Sequence, residues 1–156
     1  MSDEPVSLLQ QRRIEAAVIK PLVQAFEAEL GREKTRALLA KVITQLAHDA
    51  GKALAKTTAD TSLASFAAKR ELWTRGGALE FDVLAQTDTE YAFNVTRCRY
   101  AEMYRELGLE ELGYTLSCNR DGSLMAGFAP DVEFTRTQTI MQGASHCDFR
   151  YRKRKP

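Results

Sequence analysis

Three cysteines and one histidine carry most of the chemistry this sequence offers. Cys98, Cys118 and Cys147 lie far apart in the chain, and His146 precedes the last of them. Each falls at the end of an expected element or beside a turn, where backbone groups are free and rigid elements hold geometry. Arg97 and Arg99 flank Cys98, and a nearby guanidinium lowers a thiol pKa from about 8.5. Two chemistries fit the set. In the first, a thiol attacks, His146 serves as base, and Asp121 or Asp148 helps as acid. In the second, Cys98, Cys118, Cys147 and His146 hold zinc. The spacing matches no standard finger, and neighbours on a strand such as His146 and Cys147 face opposite ways, so the thiol reading ranks above zinc. The bland alternative is three unrelated buried cysteines and a surface histidine. Serine-elbow, phosphate-loop and dinucleotide-binding motifs are absent.

The elements must bring these residues together. Ser7 can cap a helix to about Leu30, with Leu8, Ile14, Val18, Leu22 and Phe26 near one stripe and Pro21 expected to kink it. A second helix covers about Glu33 to Ala55, and Gly51 weakens its far end by about 0.8 kcal/mol relative to Ala. His48 near its apolar face reads as structural. A third helix, capped by Asp60, Thr61 or Ser62, runs to about Thr74, with Trp73 as an anchor between helices and sheet.

After Gly76-Gly77, Leu79, Phe81 and Val83 alternate with acids, and Tyr91, Phe93 and Val95 resume the alternation beyond Thr87-Asp88-Thr89, which predicts an antiparallel hairpin. A helix follows Cys98 and stops at Gly108, and a shorter one runs from about Leu109 to Ser117. Asn119-Arg120-Asp121-Gly122 reads as a turn. Val132 to Ile140 alternates as a strand with polar residues on both faces, as in a pocket wall. His146 to Tyr151 is the last strand, and Arg152 to Pro156 a solvated basic tail.

This order gives an α+β fold: N-terminal helices packed on one face of a four-stranded antiparallel sheet made of two hairpins. The length suits one domain, helical over 7–75 and sheet-bearing over 78–152, where the site should lie. Arg136 shares a strand side with Phe134 and Gln138. A buried guanidinium there needs an anion, either a substrate carboxylate or a structural partner among Glu80, Asp82 and Asp148. Acids and bases nearly cancel, at a formal net charge of +1, which argues against nucleic-acid and acidic-membrane partners. No apolar run approaches the ~20 residues of a membrane span. The acidic start lacks a signal-peptide pattern, and an odd, sparse set of thiols fits a reducing cytoplasm.

Three stretches carry a family resemblance: Phe93 to Tyr104, Leu116-Ser117-Cys118 with Arg120-Asp121-Gly122, and Arg136 to Met141 with Gly143 to Phe149. Together they resemble the L-2-amino-thiazoline-4-carboxylic acid hydrolase family. The resemblance implies hydrolytic opening of a small heterocyclic, amidine-like ring towards N-carbamoyl-L-cysteine, written as C–N cleavage with a proton delivered to the leaving nitrogen. It implies catalytic roles among Cys98, Cys118, His146, Cys147 and Asp121, and substrate contacts from Arg97, Arg136, Gln138, Asn94 and Tyr104. The partner is then a carboxylate-bearing heterocycle, no cofactor is called for beyond the zinc alternative, and a homo-oligomer stays open. The final hairpin and the Cys118 turn also look distantly like 4-vinyl-reductase-type small-molecule-binding domains, which implies a non-enzymatic small-molecule or metal-binding module as the alternative.

Overall fold

The computed structural model describes residues 5–155; readings made of residues 1–4 and Pro156 lie outside it. Two long helices open the chain, α1 (Leu8–Leu30) and α2 (Arg32–Ala55), joined at Gly31, whose φ of 82° favours glycine. Ser7 and Gln10 form a capping box at the start of α1. Pro21 neither splits nor ends α1, because it lies on the exposed side. The buried residues of α1 are Ala16 and Val23, whereas Ile14, Val18, Leu22 and Phe26 are exposed. The apolar stripe beyond Leu8 therefore faces away from the core, while Leu8, Leu9, Ala16, Ile19 and Val23 take the inner side.

Two short helices follow, α3 (Leu63–Ala68), capped by Ser62, and α4 (Glu71–Thr74). Strands β1 (Leu79–Gln86) and β2 (Glu90–Cys98) form the expected hairpin, and α5 (Arg99–Glu106) starts where β2 ends. Helix α6 (Glu110–Gly113) runs through a π-helical segment, Tyr114–Cys118, into α7 (Arg120–Phe128). The expected Asn119-Arg120-Asp121-Gly122 turn is thus the start of a helix. Glycines explain how α7 fits. A Cβ at Gly127 would lie 2.0 Å from the His48 carbonyl oxygen, and one at Gly51 2.1 Å from that of Leu124, so α2 and α7 cross backbone to backbone. Gly51 is a packing requirement of that crossing, and His48 contributes its backbone there.

Strands β3 (Val132–Thr135) and β4 (Cys147–Lys153) complete one antiparallel sheet in the order β1-β2-β4-β3, with helices on one face. The expected strand to Ile140 stops at Thr135. Residues 136–139 have no ladder partners, and a 3₁₀ turn, Ile140–Gln142, follows. The basic tail begins inside β4, where Arg152 pairs with Glu90 and Lys153 with Asp131. Tyr91, Phe93 and Val95 of β2 lie opposite Tyr151, Phe149 and Cys147 of β4, forming the inner, aromatic face. Phe93 and Phe149 stack at 4.8 Å between centroids, and Phe66 of α3 meets Tyr151 at 5.3 Å.

Two apolar cores result. One joins α1, α2, α5 and α6 around Ala101, Met103 and Tyr104; the other joins α3, α7 and the sheet around Phe66, Met125 and Phe128. Burying a side chain such as Phe128 is worth roughly 1.5–3 kcal/mol. The site lies where the two cores meet.

Candidate functional site

A cavity of about 110 Å³ lies between α1, α2, α7 and the inner sheet face. Its wall includes Cys98, Cys118 and Cys147 together with Asp121 and Arg136. A second, more aromatic space of about 80 Å³ shares Trp73, Leu79, Asp121, Leu124 and Phe149 with it. Trp73 therefore stands between helices and sheet and lines both.

Cys98 reaches the cavity through a local irregularity. Val95 pairs with Phe81 but Arg97 pairs with Glu80, so Thr96 is an extra residue in β2. This bulge breaks the alternation that would have put Val95 and Cys98 on opposite faces, and both now line the cavity. The Cys98 sulfur also caps α5, accepting the Ala101 N–H at 3.4 Å. Cys147 opens β4 opposite Val95 and accepts the Ile140 N–H at 3.2 Å. Cys118 ends the π-helical segment, and its carbonyl accepts from Arg136 Nη2 at 2.9 Å.

None of the three thiols is activated. Burial pushes Cys98 up to about 11, against the smaller pull of its backbone hydrogen bond. Burial raises Cys118, and the Asp121 charge adds to it. Cys147 is likewise raised by burial. The expected help from arginine is missing because the bulge turns the neighbours outward. Arg97 is exposed and pairs with Glu102 and Glu80, and Arg99 donates to the Gly76 carbonyl. Arg97 consequently holds no position on the cavity wall.

Arg136 is the buried guanidinium expected from its strand side, 5% exposed, and its anion is Asp121 on α7. None of Glu80, Asp82 and Asp148 fills that place. Aromatic rings enclose its guanidinium carbon, Phe149 at 5.0 Å and Phe134 at 5.5 Å. Burial pushes Asp121 up and Arg136 pulls it back; with a guanidinium that cannot lose its proton in direct contact, we hold the pair to be ionised.

The remaining candidates stand outside the cavity wall. His146 accepts or donates at Nδ1 with Ser145 and Gln138, and Gln138 also donates to the His146 carbonyl at 2.9 Å. Asp148 accepts from the N–H groups of Thr137 and Gln138 and from the Thr137 hydroxyl. These bonds brace the connection between β3 and β4, so His146, Gln138 and Asp148 are bracing groups. Asn94 accepts from Arg150 at 2.9 Å, on the outer sheet face. Tyr104 is buried behind the wall and shares a hydrogen bond with Ser117, which lines the cavity. Among the described residues, no three His, Cys, Asp or Glu side chains are grouped so as to share one metal ion.

Two cavity residues were missed by the sequence reading. Arg12 lies on α1 away from the stripe that drew attention, and Arg120 sits in the segment read as a turn. The Arg12/Glu15 spacing, three apart on one helix, was the only available signal.

The comparisons with known proteins follow from this geometry. The family model described as L-2-amino-thiazoline-4-carboxylic acid hydrolase matches residues 11–151, nearly the whole chain. No curated protein matches. Among solved structures, the phenol-responsive sensory domain of the transcription activator PoxR, solved with phenol, is similar at 13% identity. That match covers 98% of this chain and 79% of the other, with a TM-score of 0.56. Trafficking protein particle complex subunit 3 from Naegleria fowleri, covalently bound to palmitic acid, is similar at 12% identity, covering 93% and 96%, with a TM-score of 0.51. At these identities the likeness is one of fold. No helix among the described residues is long and apolar enough to cross a membrane.

Proposed function

Because the chain belongs to the L-2-amino-thiazoline-4-carboxylic acid hydrolase family, we propose that its cavity receives a small planar ring compound and reads a polar group on it at the Asp121–Arg136 pair. The observation that carries this reading is the pair itself. It stands in the wall of an otherwise largely apolar cavity, and concave apolar sites with few convergent polar groups are where small molecules bind. Trp73 and Phe149 offer ring faces, and phenol, bound by the similarly folded sensory domain, is a ring of this size.

The family name favours hydrolysis as a second reading, with 2-amino-thiazoline-4-carboxylate as substrate. Atom balance corrects one expectation. N-carbamoyl-L-cysteine keeps both nitrogens on the former ring carbon, so the bond that breaks is C–S. Water oxygen becomes the carbonyl oxygen, and its two protons end on the ring nitrogen and the released sulfur. Protonated, buried thiols are poor nucleophiles, which favours water as the attacking group. Asp121 is the carboxylate in the cavity wall able to take a proton from that water and return it to sulfur.

One experiment separates the readings. Trp73 fluorescence, the only tryptophan signal, reports binding of phenol and of the thiazoline acid. Chromatography of the same samples, with and without chelator, reports ring opening. Binding without turnover supports a binding module; turnover abolished by Asp121→Asn supports hydrolysis; turnover that survives that change and disappears in Cys98→Ala or Cys118→Ala overturns the water mechanism. No response to any ring compound overturns the cavity reading.

A further inference from the structure

We infer that Arg12 and Arg120 form an anion-binding corner of the cavity, which takes a carboxylate carried by the ring compound. The inference rests on the cavity reading above. Arg12 comes from the second turn of α1 and Arg120 from the first residue of α7, and both line the cavity. Their side chains are 13% and 15% exposed. They share a single carboxylate oxygen: Arg12 Nη1 lies 2.7 Å from Glu15 Oε2, and Arg120 Nη2 lies 3.8 Å from it. Arg120 Nε also donates to the Leu116 carbonyl at 2.7 Å. Among the described residues, neither guanidinium makes another hydrogen bond, although each presents five donors.

The charge count around the cavity is therefore uneven. Asp121, the carboxylate of the wall, is taken by Arg136, which leaves two guanidiniums to one Glu15. The two cations oppose each other, and burial together with Arg12 lowers the pKa of Arg120. Half-desolvated cations in this state are costly until an anion completes them, and a carboxylate fits a guanidinium fork in bidentate fashion. Ser117, in the same wall and bonded to Tyr104, adds a hydroxyl beside the corner.

The test uses matched acid and amide probes: 2-amino-thiazoline-4-carboxylate with its carboxamide, and benzoate with benzamide, titrated by calorimetry. The acids should bind at least tenfold more tightly than the amides to the unaltered protein. Arg12→Gln should remove that advantage and leave amide binding unchanged, and Arg120→Lys should reduce it while keeping a cation in place. Added sodium chloride should weaken only the acids. Equal binding of acid and amide by the unaltered protein, a comparison that needs no variant, overturns the corner while leaving the cavity reading intact. Equal losses for acid and amide in Arg12→Gln do the same. Failure of all four probes and of phenol overturns both.

A separate observation carries a second inference: the outer face of the α1–α2 hairpin packs against a second copy of this chain. Ile14, Val18, Leu22, Phe26 and Leu30 on α1 and Leu38, Val42 and Leu46 on α2 are each 45–61% exposed. Between Ile14 and Phe26 the exposed residues of α1 include no charge, since Glu15 turns to the arginines and Lys20 to the Leu107 carbonyl. The eight residues together expose roughly 800 Å², which is about what each partner of a standard-size interface buries. Sedimentation velocity should show a dimer at micromolar concentration, and Val18→Glu with Leu22→Glu should give a folded monomer. A monomer at 100-fold higher concentration overturns this inference, as does a dimer that survives both changes.

Discussion

Two arginine clusters stand around the same cavity and differ in burial and in charge balance. Arg136 meets Asp121 one to one, inside an aromatic enclosure, and its charge is complete. Arg12 and Arg120 share Glu15, in a less buried place, and theirs is not. The difference teaches how a charge-complete buried pair can offer a ligand a polar contact while a nearby surplus of positive charge calls for an anion. The first cluster ties α7 to the strand connection after β3. The second joins α1 to α7 and leaves one positive charge over.

The largest expected effect comes from removing the anion of the complete pair. Asp121→Ala leaves Arg136 buried without a partner, which costs about 3–5 kcal/mol. Replacing both members by Leu and Met should recover most of that loss, because the pair's attraction mainly offsets its own desolvation. Chemical denaturation checks both. A loss below about 1 kcal/mol in the single variant would show that Arg136 has another anion, and the contrast between the clusters would disappear.

Next comes the crossing that carries both clusters. Gly127→Ala would drive a methyl group into the His48 carbonyl, so α2 and α7 must separate, at a cost of about 1–3 kcal/mol and with both clusters displaced. Acid-probe binding should fall with stability here, whereas Arg12→Gln should lose binding alone. Parallel behaviour of the two variants would break the comparison.

A third outcome concerns the thiols that lie between the clusters. Burial outweighs the pull of Arg136 on Cys118 and Cys147, and it holds Cys98 at about 11. Alkylation by iodoacetamide should be slow at pH 7 and rise with pH well beyond the ordinary range near 8.5. The sign also follows for stability. A raised thiol pKa means that the native protein holds its proton more tightly than the unfolded chain, so this contribution is present below about pH 8.5 and is lost as pH rises towards 11. A thiol that titrates below 8 in the native protein would return the nucleophile to cysteine.

The sequence showed the strand pairing of β1 and β2, the placing of Cys98 at a strand–helix junction and the burial of Arg136, because strand alternation and capping are local signals. It missed α7, since Asn119-Arg120-Asp121-Gly122 has turn chemistry, and only the packing shows that Gly122 makes room for the Phe134 ring and Gly127 for the α2 backbone. Of the stripe named on α1 only Leu8 reaches the core, because Ile14, Val18, Leu22 and Phe26 lie outside and the inner side is built from Leu9, Ala16, Ile19 and Val23. Arg97 and His146 looked like site residues by proximity in sequence. The bulge at Thr96 and the bracing of the β3–β4 connection send them elsewhere, and neither is visible in residue spacing.

The smallest effect separates the members of the surplus cluster. Arg12→Gln removes one ion pair with Glu15 and, at the same time, a repulsion with Arg120. Partly exposed pairs are worth about 0–1 kcal/mol, so the two changes nearly cancel and stability should stay within about 0.5 kcal/mol. Glu15→Gln works differently. It leaves Arg12 and Arg120 facing each other with no shared anion and should destabilise the protein by about 1 kcal/mol at low salt. That deficit should shrink in 0.5 M sodium chloride, where screening weakens the repulsion, and should also shrink when benzoate occupies the corner. Thermal unfolding of both variants, at two salt concentrations and with and without benzoate, reads all of this. A Glu15→Gln deficit that neither salt nor benzoate reduces would mean that Glu15 serves packing alone, and the two clusters would then differ in burial but not in charge.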